Sequence, residues 1–235
     1  FMAVILIKFS ERYIRSETQS HQFWRWLLLS LTSVSVVVLS NNLLLMWLGW
    51  VSISLCFHRL LLFYPDRPRA VLAAHKKFIL ARVAETFLLA AFLLLYYQHG
   101  TLQLSVILDY YLSVDPGHEL SFAEKAAAFL LVQTALIKCA QLPLHGWLIQ
   151  VVEAPTPISA LLHAGIINLG GFLLISFAPL MSLAPIAQWT LLVVAGLSTL
   201  ISALVMVTRI SIKVRLAWST CAQMGLMLIE CALGL

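Results

Sequence analysis

Lys138 interrupts an otherwise apolar run, Pro143 follows five positions later, and His163 stands 25 positions on in a second apolar run. A lysine at the centre of a bilayer helix costs ~2.5–3.5 kcal/mol even on insertion scales, so it faces protein or a water-filled interior and takes a partner. An amine withdrawn from water loses much of what stabilises its charged form, which lets it gain and lose a proton. A lysine held permanently in an ion pair satisfies the same burial, and residue types alone leave both readings open. Histidine titrates nearest neutral pH, so His163 is a candidate second station of a proton relay, against the plainer reading of a hydrogen-bonded core imidazole. Pro143 cannot donate to the carbonyl of Cys139 and marks a helix break beside the lysine; at membrane depth such a break must be covered by protein or water.

Further ionisable residues sit in or beside apolar runs. Glu85 follows Arg82 at i+3, a spacing at which the two meet on one helix face, either as a structural ion pair or as a pair that tunes a nearby lysine. Glu230 lies deep in the last run, GLMLIECALGL, with no evident partner. His58 is followed by Arg59 near the end of another run. His145, two residues after Pro143, is expected at an interface, and Glu153 either caps the helix beginning near Pro157 or is solvated. No G-x-G-x-x-G follows a strand and no cysteine cluster exists, so the chain offers no nucleotide, flavin or iron–sulfur site. Cys56, Cys139, Cys221 and Cys231 lie in apolar runs without a C-x-x-C pair and read as small buried thiols.

The elements that must position these residues follow from composition. The chain is 61% hydrophobic and 11% charged, with mean hydropathy +0.94, which excludes an ordinary soluble domain. The expectation is an all-α, polytopic transmembrane bundle containing a discontinuous helix. Apolar runs occur at about 23–39, 41–64, 76–97, 124–148, 157–178, 187–207 and 214–235, with a partial one at 1–7, each full run near the roughly 20 residues needed to cross ~30 Å. They predict seven full helices and one partial. Residues 1–235 read as a single transmembrane domain, expected to be a piece of a longer polypeptide because apolar runs are under way at both ends.

The net charge of +5 is explained by topology rather than by nucleic acid. Lys8, Arg12 and Arg15, then Arg67, Arg69, Lys76 and Lys77, then Arg209, Lys213 and Arg215 fall in alternate loops, which marks that face as cytoplasmic. The opposite face receives the Ser40–Asn42 turn, the uncharged Ala178–Ile186 loop and the long segment carrying Asp109, Asp115, Glu119 and Glu124. Within that segment Leu102–Leu112 reads either as an interfacial helix, with Tyr110 and Tyr111 at headgroup level, or as a packed loop. No repeat of 20–50 residues is evident.

The window from Lys138 to His163 also carries a family signature. Its residues Lys138, Ala140, Gln141, Pro143, Leu144, Trp147, Leu148, Glu153, Pro155, Thr156, Pro157, Ser159, Ala160, Leu161, Leu162 and His163 resemble K-[SC]-A-Q-x-P-L-x-x-W-L followed by E-[AG]-P-T-P-[IV]-S-A-L-[LI]-H-A. That pattern belongs to the antiporter-like membrane subunits of respiratory complex I, the Mrp cation antiporters and the DAB inorganic-carbon transporters. Lys76, Phe78, Arg82, Val83 and Glu85 are similar to the family's K-x-F-x-x-x-R-V-x-[DE], and Arg215–Gly225 to its L-A-Y-S-T-x-S-Q-x-G segment. The resemblance implies a proton or ion pathway through Lys138, His163 and Glu85 with the helix broken at Pro143, and His58 and Glu230, ionisable residues in other apolar runs, are added to the expected pathway. It implies no catalytic residue, cofactor or metal in this chain.

One departure separates the members. The largest antiporter-like subunit of complex I has G-W-E where this chain has Gly49, Trp50 and Val51, so the acidic partner of the transmembrane lysine is absent from that position. His58, seven residues on and within ~20° of the same helix face, either replaces it or contacts a partner protein. The stretch from Ser54 to Tyr64 is similar to the membrane subunit of DAB transporters, whose large soluble partner resembles a β-carbonic anhydrase and binds zinc. The expected function is therefore cation conduction, of H+ or Na+, coupled to CO2 hydration and bicarbonate accumulation by a zinc-binding partner at the cytoplasmic face of the inner membrane. The alternatives are a proton-pumping subunit of complex I or Mrp type, and a structural scaffold.

Overall fold

The computed structural model describes residues 2–15, 20–64, 68–114, 119–151 and 156–234; Pro65, Arg67, Asp115, Glu153 and Pro155 lie outside them. The described residues form helices α1 (Met2–Tyr13), α2 (Ser20–Leu39), α3 (Leu43–Leu61), α4 (Pro68–His99), α5 (Leu104–Ser113) and α6 (Phe122–Lys138). Then follow α7 (Gly146–Gln150), α8 (Thr156–Ala164), a 3-10 turn at Ile166–Asn168, α9 (Leu169–Ser176), α10 (Ala178–Ser182), α11 (Pro185–Val207) and α12 (Ile212–Leu233). The protein is an all-α membrane bundle, as its composition requires.

Among the described residues six stretches are long and apolar enough to cross a membrane: α2, α3, α4 from Ala70, the α8–α9 pair, α11 and α12. This corrects the count of seven. The run expected at 124–148 is a 17-residue helix, α6, that stops at Lys138. The α8–α9 span is itself interrupted, at Gly165 and the 3-10 turn. Along α11, Trp189, Val193, Leu197, Leu200, Leu204 and Val207 are exposed, a face that hydrocarbon satisfies and water does not.

Polar caps set the helix starts. Asn42 Oδ1 accepts from the amides of Leu44 and Leu45 at 2.9 and 3.2 Å and opens α3. Ser121 and Glu124 form a reciprocal capping box that opens α6. Glu124 is therefore no loop acid: it is 2% exposed and accepts a hydrogen bond from the Tyr111 hydroxyl at 3.0 Å. Tyr111, 3% exposed, lies in α5 and is packed inward. Burial, reinforced by the Glu124 carboxylate, pushes its hydroxyl above the ordinary tyrosine range.

Three segments assigned to the non-basic face meet one another. The Ser40–Asn42 turn pairs with the start of α5 through Leu43 N to Leu102 O and Leu104 N to Asn41 O, both 2.9 Å. Helix α10, from the Ala178–Ile186 loop, packs on α5. In the middle of the bundle α4 packs on α3 and α6, and α6 on α9 and α11.

Candidate functional site

Helix α6 ends where its hydrogen bonds turn back on themselves. The amide of Gln141 donates to Leu136 O at 3.0 Å and that of Ala140 to Ile137 O at 3.2 Å, around Ala140 at φ 52°. This is a Schellman closure with alanine at the left-handed position that glycine usually fills. The helix thus stops at Lys138, five residues before the sequence reaches Pro143. The freed backbone is covered by protein: Ser198 Oγ of α11 accepts from Leu142 N at 2.9 Å, and the Cys221 thiol of α12 donates to Ala140 O at 3.1 Å. The Cys139 carbonyl that Pro143 cannot reach accepts from Gln141 Nε2 at 2.9 Å.

Lys138 is the last helical residue, where the unpaired carbonyls at a helix C-terminus favour a cation. Its Nζ lies 3.0 Å from Glu85 Oε1, and Glu85 Oε2 lies 2.6 Å from Arg82 Nη2. Glu85 is 3% exposed. The structure therefore brings Lys138 and Glu85 together and supplies from α4 the counter-charge that the Val51 position lacks. The Trp50 ring, beside Val51, faces the same ammonium at 5.8 Å.

A third cation enters this cluster. Lys77, read from the sequence as one of the cytoplasmic loop charges, is 6% exposed. Its Nζ donates to Ser54 O at 3.3 Å and lies 5.0 Å from the Phe57 ring, while Ser54 Oγ accepts from Arg82 Nη2 at 3.1 Å. Lys77 and Lys138 both line a cavity of about 20 Å³ with Trp50, Ser54, Leu80 and Trp147, room for roughly one water. The family motif pointed at Lys76, which is exposed; the side chain that turns inward is its neighbour.

The other candidates are placed elsewhere. His163 ends α8, its Nδ1 3.0 Å from Thr220 Oγ1, and lines a separate cavity of about 210 Å³ with Thr156, Ser159, Lys213 and Leu216. The two cavities share no lining residue. His58 packs its ring on Phe78 at 4.6 Å and on His75 at 5.6 Å, and its buried Nδ1 has no hydrogen-bond partner among the described residues. His145 stacks near Trp218 at 4.9 Å. Glu230 is on the exposed face of α12 and does not line either cavity. Among the described residues no group of three or more His, Cys, Asp or Glu converges as metal ligands would.

Comparisons with known proteins show the family to which the chain belongs. A family model described as "NADH:quinone oxidoreductase/Mrp antiporter, TM" matches residues 40–235. The "Probable inorganic carbon transporter subunit DabB" of Hydrogenovibrio crunogenus is 58% identical over 236 residues, covering 100% of this chain and 45% of that protein. The "NADH-quinone oxidoreductase subunit L" of Escherichia coli is 34% identical, covering 94% of this chain and 36% of that one. In the structure of the Mrp complex from a Dietzia species, a chain superposes with TM-score 0.81 at 26% identity, covering 91% of this chain and 23% of that chain. The chain thus spans less than half the length of each of these relatives.

Proposed function

Because the chain belongs to the NADH:quinone oxidoreductase/Mrp antiporter transmembrane family, we propose that it conducts a cation, H+ in the first instance, as the membrane subunit of an inorganic-carbon transporter. The observation that carries this reading is the buried Lys138–Glu85 contact of 3.0 Å at the break in α6. Lys138 there has one carboxylate, shared with the permanently charged Arg82, so Glu85 stays compensated when the amine gives up its proton. Such a lysine alternates between ammonium and amine without leaving the carboxylate alone. Ion flow past it drives hydration of CO2 to bicarbonate on a large soluble subunit at the cytoplasmic face of the inner membrane. That partner holds the zinc and does the chemistry; this chain supplies the path. Support for the carbon-transport branch is the 58% identity to the DabB subunit and the valine at position 51.

The reading is tested on the whole complex, expressed with its genetic neighbours in a host that needs added CO2 to grow. Lys138→Met and Lys138→Ala should abolish growth in air while leaving the complex assembled, and Lys138→Arg should fail too because a guanidinium keeps its proton. Growth in air with Lys138→Arg is the result that a static ion pair requires, and it would overturn the proposal. A second reading, a proton-pumping subunit of complex I or Mrp type, is favoured by the 34% identity to subunit L. It predicts no CO2-dependent phenotype and genetic neighbours that encode respiratory or antiporter subunits. Wild-type growth from every Lys138 variant would leave only a scaffold.

A further inference from the structure

Resting on that proton-conducting reading, we propose that Lys77 is a second proton-exchanging amine, which passes the proton between Lys138 and water on the basic face of the membrane.

Three observations carry it. The first is charge: Lys77, Arg82 and Lys138 stand around one carboxylate, Glu85, and the two contacts of Glu85 go to Arg82 at 2.6 Å and Lys138 at 3.0 Å. Among the described residues Lys77 keeps only a carbonyl at 3.3 Å and an aromatic face at 5.0 Å. An ammonium carries three donors, and a buried charge without a counter-charge is costly, so of these groups Lys77 is the one whose proton is least firmly held. The second is position. Lys77 lies eight residues before Glu85 on α4, about 12 Å nearer the helix end that leads to the basic loop. The third is connection. Lys77 and Lys138 share the water-sized cavity, which adjoins, across Leu80 and Trp147, an open groove of about 330 Å³ lined by Lys76, Pro143, Leu144 and Gly146. The groove is lined by Pro143, Leu144 and Gly146, just past the end of α6, and in the proposed path it is the water-filled side from which the amines are reached.

The step is a proton exchange through one water. Lys138 ammonium gives a proton to the water as the water gives one to the Lys77 amine, leaving Lys138 neutral, Lys77 charged and the total charge unchanged. Lys77 then returns its proton to water in the groove. Among the described residues, the charged and titratable groups that face Lys77 are His58 on α3, Arg82 and Glu85 on α4 and Lys138 on α6. Among them Arg82 cannot exchange and Glu85 is already engaged.

The experiment uses the full-length subunit in its complex, reconstituted in proteoliposomes with a pH-sensitive dye inside and an imposed potential. Lys77→Met removes the exchangeable proton and Lys77→Arg retains a charge that cannot be released; both should cut proton flux at least tenfold at wild-type complex yield. Lys77→His should restore part of the flux, with its pH profile displaced toward acid relative to wild type. Wild-type flux in Lys77→Arg would show that Lys77 only supplies charge to Ser54 and Phe57, and would overturn the proposal. Loss of the assembled complex in both Lys77→Arg and Lys77→His would overturn it as well, by making the residue structural. Lys138→Met in parallel separates the two levels. If it is inactive while Lys77→Arg conducts, this inference alone fails; if it conducts like wild type, the underlying reading fails.

Discussion

At the scale of single residues the cluster is a problem in compensating charge. Glu85 is 3% exposed and lies against two cations. Replacing it with glutamine leaves Lys138 and Arg82 buried around a neutral amide, and breaking a buried ion pair from one side typically costs ~3–5 kcal/mol. Glu85→Gln is accordingly expected to lower the thermal midpoint of the detergent-solubilised complex markedly. Lys138→Met alone should be far milder, because Arg82 still satisfies the carboxylate. Adding Lys138→Met to Glu85→Gln should recover part of the loss. A double-mutant cycle that returns no coupling between positions 85 and 138 would contradict the observed contact. This pair was partly legible beforehand, since a charge inside an apolar run announces itself by its cost. That Glu85 and Lys138 meet was not, because 53 residues separate them.

At the scale of elements the break in α6 depends on how closely α9 approaches it. A Cβ on Gly170 would stand 2.5 Å from Cys139 Sγ and 3.0 Å from Ala135 O, whereas one on Gly196 of α11 meets nothing within 4 Å. Gly170→Ala must push α9 away from the closure that ends α6, and overpacking of this kind typically costs ~1–3 kcal/mol. Gly196→Ala should be neutral or stabilising by up to ~1 kcal/mol, since alanine is the better helix former. Thermal midpoints of the two variants, measured side by side, check the contrast; equal effects would mean that α9 does not pack on the break as described. Pro143 suggested the site of the break, yet the helix ends at Lys138 through the left-handed turn at Ala140. No local signal marks that turn, because alanine is otherwise a strong helix former; it is held by Ser198 and Cys221 from distant helices.

For the whole molecule, orientation is the testable property. Lys76 on α4 and Leu112 on α5 are both exposed, Leu112 by 70%. Cysteines placed there should react with a membrane-impermeant maleimide from opposite sides, Lys76→Cys only in inside-out vesicles and Leu112→Cys only in right-side-out ones. Labelling of both from one side would refute the topology. The contacts of the Ser40–Asn42 turn and of α10 with α5 give this arrangement a structural basis independent of the basic loops. They also tie the non-basic face into one layer.

The sequence by itself determined that the chain is a helical membrane protein and that Lys138 must lie at an interrupted helix. These follow from free energies of transfer, which depend on residue type and run length and need no partner to be known. It did not determine which of Lys76 and Lys77 is buried, because adjacent residues on a helix differ by about 100° in direction and nothing local fixes the rotation of α4. Only the packing of α3 and α6 against α4 turned Lys77 inward and placed Glu85 on Lys138. Each of those outcomes is a contact between distant segments, and a contact exists only once both surfaces have been positioned.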